Sequence, residues 1–148
     1  MSDVSYMAEY VLDAKGKVLG RVASNAAKLL LDGNDVILLN AEKAMISGHR
    51  RDIVQKYKRK VELKDKANPE HSPYISRRPD FFVKRVIRGM LPYQRPRGKA
   101  AFKHLRVYVG VPEGLKDKKT NDIKIKSSKE TFEDSITVGE LSEFLGYK

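Results

Sequence analysis

Apolar residues recur along this chain in two rhythms, and the switches between them divide it into elements. Glu9 to Leu12 (EYVL) predicts a short strand, and Asp13 to Gly16 a turn. From Val22 to Leu31 the period is helical: Val22, Ala23, Ala26, Ala27, Leu29, Leu30 and Leu31 share one broad face, with Ser24, Asn25 and Lys28 opposite. Gly33 and Asn34 end that helix. Asp35 to Asn40 (DVILLN) has the unbroken apolar middle of a central parallel strand, so the first forty residues predict a βαβ unit. Ser47-Gly48 caps a second helix running to about Val61, with Ile53, Val54, Tyr57 and Val61 inward. Lys64 to Pro79 is a polar, proline-punctuated loop, and Pro79 suits the first turn of a third helix. There Phe82, Val83, Val86, Ile87 and Met90 span about 140° of arc, with Lys84, Arg85 and Arg88 on the other side. Phe81 breaks the pattern by falling near the basic face.

Gly89 and Pro92 stop the third helix and open a Pro- and Gly-rich loop. In it Gly89, Pro92, Pro96 and Gly98 fix the path of the chain. Leu105 to Val109 alternates as a strand, and Pro112 to Asn121 is a polar connector. Ile123 to Lys126 (IKIK) has the charged alternation of an edge strand. Thr137 and Glu140 form a capping box for a last short helix, with Val138, Leu141, Phe144 and Leu145 inward and Gly146 as its stop.

At 148 residues and 41% hydrophobic, the chain predicts one domain over 1–148, with a core from about 8 to 112 and an extension over 113–148. No apolar run approaches the roughly 18–20 residues that span a bilayer. Met1 to Tyr10 carries Asp3 and Glu9 and no apolar core, so no signal peptide is expected. The absence of cysteine removes disulfides and thiolate metal sites and makes a reducing, cytoplasmic home the default.

Charge changes the picture most. The formal net charge is +11, and residues 71–111 hold ten Lys/Arg against the single acid Asp80. The flanking segments are nearly neutral, so the excess marks one anion-binding face rather than general solubility. Arg77 and Arg78 precede the third helix, Lys84, Arg85 and Arg88 run along it, and Arg95, Arg97, Lys99 and Lys103 follow. Arg50, Arg51, Lys58 and Arg59 add a second basic set on the second helix. Arginine dominates the central block, and its planar fork suits phosphate bidentately. Tyr74, Phe81 and Tyr93 are interleaved with these cations, which adds aromatic surfaces for base stacking. Zinc-finger spacing, basic-zipper heptads and an RRM-like glycine–aromatic run are missing, so an α/β body with a basic extension fits backbone and shape recognition of folded RNA best.

Other constellations are weaker. Gly16-Lys-Val-Leu-Gly20-Arg21 lies between a strand and a helix, where backbone N–H groups seat phosphate; the same residues also make a plain tight turn. A nucleotide-dependent RNA-processing enzyme would use this Gly16–Gly20 turn, with Glu42 as base and Lys43 as electrophile. The turn is neither a Walker A loop nor GxGxxG, and Glu42-Lys43 also reads as a solvated turn. His49, His71 and His104 form no metal-ligand spacing, so no metal is expected.

VLDAKGKVLGRVAS (11–24), VILLNAEKAMISG (36–48) and VIRGMLPYQRPRGKAAFKHLRVYVGVP (86–112) together resemble the large-subunit ribosomal protein thirteen family. They stand in the family's order and cover about half the chain. The archaeal and eukaryotic branch is the better likeness, because the bacterial Gly-rich insert and His-Pro-His ending are missing. The resemblance implies a three-layer α/β domain, a mainly parallel sheet of about four strands flanked by helices, with a basic loop extension. It also implies a structural, non-catalytic role in the cytoplasmic ribosome, with large-subunit rRNA and neighbouring ribosomal proteins as partners and no cofactor, small-molecule substrate or membrane. The family's basic positions fall on Arg88, Arg95, Arg97, Lys99 and Lys103.

Overall fold

β1 (Glu9–Asp13), α1 (Leu19–Leu31) and β2 (Asp35–Leu39) form the expected strand–helix–strand unit in this computed structural model, which describes residues 8–121 and 134–147. β1 lies parallel to β2, from Glu9 beside Asp35 to Asp13 beside Leu39. β3 (Met45–Ser47), α2 (Arg50–Glu62), α3 (Pro79–Met90) and α4 (Pro96–Lys103) follow before β4 (Leu105–Val107) adds to the free edge of β2, again parallel. β5 (Ser135–Thr137) returns to pair antiparallel with β3, and α5 (Val138–Phe144) follows. The α/β class with a mainly parallel sheet is as expected; among the described residues that sheet has three strands, and two further strands form a small antiparallel ribbon.

The period of two divides the sheet's side chains. Leu12, Val36, Leu38 and Leu105 face a large core shared with Val22, Ala23, Ala26, Ala27 and Leu30 of α1 and Val83 and Ile87 of α3. Alanine on α1 keeps that helix close to its neighbours, and each large aliphatic removed from water contributes about 1.5–3 kcal/mol. Val11, Ile37 and Leu39 face the other way, beneath Tyr108 and Leu115 of the connector after β4.

Four boundaries differ from the sequence expectation, each for a tertiary or capping reason. α1 starts at Leu19 rather than Val22: the N–H groups of Arg21 and Val22 both donate to the Val18 carbonyl, closing a first turn over Gly20. Ser47 is not a helix cap but a strand residue, claimed by Ser135 from the far end of the chain; α2 starts after it, at Arg50. β4 ends at Val107 because the next residues bend back, with Tyr108 and Gly110 accepting from Ala41 and Asn40 N–H. The stretch read as a loop after α3 is a turn over 91–95 and then α4, with Pro96 in its first turn. The expected edge strand Ile123–Lys126 lies outside the described residues.

The last helix is capped and packed as expected except at Phe144, which the sequence pattern places inward but which is 44% exposed, with the Arg50 guanidinium over its ring. Thr137 Oγ1 accepts the Glu140 N–H at 3.1 Å, as an N-cap should. Ile136, Val138, Leu141 and Leu145 enter the main core. Gly139 passes within 3.1 Å of the Glu42 carbonyl, measured from where a Cβ would stand, so α5 seats directly on the 3₁₀ turn Ala41–Lys43.

Candidate nucleic-acid interface

α3 is the backbone of the basic face. Pro79 occupies its first turn, and Asp80 closes it twice: Oδ1 accepts the Phe81 N–H at 2.9 Å and Oδ2 accepts from Arg78 at 3.0 Å. The one acid of the 71–111 block is therefore spent on Arg78 and the helix end. Among the described residues, Lys84, Arg85, Arg88, Arg95, Arg97, Lys99 and Lys103 have no carboxylate within 4.0 Å.

Two of these cations also hold the site together. Lys84 and Arg88 stand one turn apart on α3. The Arg88 guanidinium lies 3.9 Å over the Tyr93 ring, and the Lys84 ammonium 5.3 Å over Phe102. Tyr93 meets Phe102 edge-on, with centroids 5.5 Å apart and planes at 86°. The ladder Arg88, Tyr93, Phe102, Lys84 clasps α4 and its entering turn against α3. Each cation–π step is worth about 0.5–1 kcal/mol at an exposed site, and the aromatic pair a comparable amount. Lys84, Arg88, Tyr93 and Phe102 are half-buried, whereas Arg85, Arg95, Arg97, Lys99 and Lys103 are exposed.

Gly98 lets α4 come this close. A Cβ there would stand 2.0 Å from the Pro92 carbonyl oxygen and 2.8 Å from the Tyr93 nitrogen. Gly89, by contrast, has open space around it.

Beside the ladder the surface is concave. A cleft of about 690 Å³ is lined by Tyr74, Phe81, Phe102, Lys84, Arg85 and Arg88. A second, of about 560 Å³, continues past Arg88 over the 91–95 turn, and a third runs between the 73–78 segment and Val61 of α2. Phe102 was not singled out by sequence, because it lay in the supposed loop. The signal for its helix was Pro96 ahead of an Ala-Ala pair, a pattern of helix entry. Phe81, the misfit of the α3 wheel, lines both the first and the third cleft.

The remaining sequence-chosen residues lie elsewhere. Arg51, Lys58 and Arg59 are exposed on α2, which buries only Ile53 fully and meets α3 through the edge contact of Tyr57 with Phe82. Arg50 lies over the Phe144 ring at 5.1 Å and 4.0 Å from Glu140, and Arg77 reaches toward Gly146; both thus face α5.

At the Gly16–Gly20 turn, Gly16 has φ +72 and its N–H donates to the Lys43 carbonyl at 3.1 Å. Lys17 N–H donates to Ala14 and Arg21 N–H to Val18, so these donors are engaged by main-chain carbonyls. Gly20 and Arg21 are exposed at the start of α1. Glu42 accepts the Gly110 N–H at 2.9 Å, which makes it a clasp between the 3₁₀ turn and the bend after β4. Lys43 points to solvent. His49 pairs with Asp134 and His104 with Asp35, at 2.6 and 2.7 Å. Among the described residues no three potential ligands group around a metal position, and no helix is long and apolar enough to cross a membrane.

Residues 7–114 match the family model described as ribosomal protein L13. The large ribosomal subunit protein uL13 of Methanococcus maripaludis is 48% identical over 139 residues, covering 93% of this chain and 98% of its own. The protein of the same name from Methanosarcina barkeri is 45% identical over 144 residues, and that from Methanocaldococcus jannaschii 44% over 139, each with the same coverage. All three are named as ribosomal proteins and none as an enzyme.

Proposed function

The chain belongs to the ribosomal protein L13 family, and from that membership we propose that the exposed cations of α3 and α4 bind and order large-subunit rRNA. It is a non-catalytic constituent of the large subunit and works in the cytoplasmic ribosome, among rRNA and neighbouring ribosomal proteins. The observation that carries the proposal is the charge arrangement: one face holds Arg85, Arg95, Arg97, Lys99 and Lys103 exposed, with no carboxylate within 4.0 Å among the described residues. Like charges this dense repel one another, and a polyanion relieves that repulsion.

The rest of the molecule makes the face rigid. α3 is anchored by Val83 and Ile87 in the core, and α4 by the Gly98 contact and the aromatic ladder. A phosphate therefore meets cations whose carriers are already ordered, which lowers the entropic cost of binding. Converging RNA strands are held by cations set between their phosphates. We treat the whole chain as one domain, because β5 and α5 of the C-terminal extension share the core of residues 8–112.

The enzyme alternative has less support. Glu42 is engaged with a backbone N–H, and the Gly16 and Lys17 N–H groups donate to main-chain carbonyls.

The test is the salt dependence of rRNA binding. Each phosphate contact contributes a slope of about 0.7–0.9 in log affinity against log salt. Replacing Arg85, Arg95 and Arg97 together by Ala should reduce the slope by about 2–3. All three are exposed, so stability should hold. An unchanged slope refutes the assignment of this face.

A further inference from the structure

The cleft beside α3 is more apolar than a surface built only for phosphate requires. Its walls are the rings of Tyr74, Phe81 and Phe102. Tyr74 is 88% exposed and Phe81 47%, large aromatic areas left in water beside Phe82, which is buried to 7%. Scattered exposed side chains need no explanation, but two rings converging on one concavity mark a binding site. Its volume of about 690 Å³ lies in the range of pockets that take a small planar group.

The rim limits what that group is. Lys84, Arg85 and Arg88 border the cleft, and among the described residues no carboxylate lines it. A basic protein segment would bring like charge to that rim. A paired RNA helix could reach the cations but not the rings, because its bases are stacked inside. An unpaired base satisfies both halves: its π-face stacks on aromatic carbon while its own phosphates meet the rim. One wall is braced for such a load, since Phe102 is held edge-on by Tyr93 and from above by Lys84. Arg78 lies 4.7 Å over the Phe81 ring and fixes the opposite wall.

We propose that this cleft receives a single unpaired base of the rRNA, stacked against Phe81 and Tyr74, with its flanking phosphates on Lys84, Arg85 and Arg88. The proposal rests on the rRNA-binding function above and deepens it: the basic face grips backbone, and the cleft selects a place where a base is extruded.

The experiment uses the full chain with deproteinised large-subunit rRNA. Ultraviolet irradiation of the complex joins stacked rings to bases, and the adducts are mapped on both molecules. The expected result is an adduct from Tyr74 or Phe81 to a nucleotide that is unpaired in the rRNA. The double variant Tyr74→Leu/Phe81→Leu should lose it and bind about fivefold to 100-fold more weakly, the range for removing base stacking. Its salt slope should stay that of the wild type, because no cation is removed. Both residues are exposed, so the variant should melt with the wild type, and Phe81→Tyr should keep the adduct. Salt-dependent wild-type binding with no adduct from these rings, or with an affinity the double variant does not change, overturns the base cleft and leaves the rRNA interface standing. Absence of rRNA binding by the wild type overturns both.

Discussion

Replacing Gly98 by Ala should destabilise this protein, although alanine is the better helix former. Gly98 is in the first turn of α4, and a methyl there has to retreat from 2.0 Å to at least 3.4 Å from the Pro92 carbonyl oxygen. Neither side yields cheaply. The obstacle is backbone, and Pro92 is held in a turn whose carbonyl accepts the Arg95 N–H at 2.9 Å. Alanine gains up to about 1 kcal/mol of helix propensity over glycine. Against that stands overpacking, which typically costs about 1–3 kcal/mol and more when backbone must move. The displacement also strains the Tyr93–Phe102 contact, which adds a share of the roughly 0.5–1.5 kcal/mol such a pair contributes. The net expectation is a loss of about 1–3 kcal/mol, or about 2–4 °C in Tm for each kcal/mol in a chain of this size. Gly89→Ala is the internal control. It lies in the last turn of α3 with nothing within 4 Å, so the same substitution should stabilise by about 0.4–1 kcal/mol. Urea unfolding followed by far-ultraviolet circular dichroism measures both midpoints, and equal slopes confirm that only stability changed. A Gly98→Ala protein as stable as wild type would refute the close approach of α4 to the 91–95 turn.

Substitutions at two further positions probe the sheet and α2. Asn40 is 7% exposed with φ 55, and its side-chain amide donates to Asp13 Oδ1 at 2.9 Å. Asn40→Ala should cost about 2–3 kcal/mol, from about 1–2 for the left-handed backbone and about 1 for the hydrogen bond. Asn40→Gly keeps the backbone freedom and should cost distinctly less; equal losses in urea unfolding would assign the whole effect to the side chain. Burial against α3 raises the Tyr57 hydroxyl above the ordinary tyrosine value. The unfolded chain therefore ionises this group first, near pH 10. Stability falls as pH rises through the unfolded value toward the folded one. Tyr57→Phe should flatten that alkaline decline between about pH 9 and about pH 11; parallel curves for the two proteins would count against the burial of the hydroxyl.

Local chemistry was sufficient for much of this protein. The run DVILL has the unbroken apolar middle of a strand buried on both faces, and β2 is the central strand of the parallel sheet. Thr137 and Glu140 are three residues apart, so the last helix cap is written in neighbouring positions. The charge block over 71–111 is likewise a property of composition, and one acid among ten cations leaves little local neutralisation. The family likeness rode on the same local signals: three segments in order, matched by relatives at 44–48% identity.

What tertiary structure decided depends on contacts between distant residues. Ser47 has the composition of a helix cap, but Ser135 draws it into a strand. Glu42 has the chemistry of a base, but the Gly110 N–H engages it. Pro96 and Gly98 punctuate a loop in sequence, yet only packing against Pro92 shows why glycine is required in the first turn of α4. The same holds for the cations. Sequence supplied their number and sign. Folding divided them into Lys84 and Arg88, which clasp aromatic rings, and Arg85, Arg95 and Arg97, which stand free in solvent. A side chain's charge is fixed by its own atoms, whereas its freedom to meet a phosphate is fixed by what the rest of the chain places beside it.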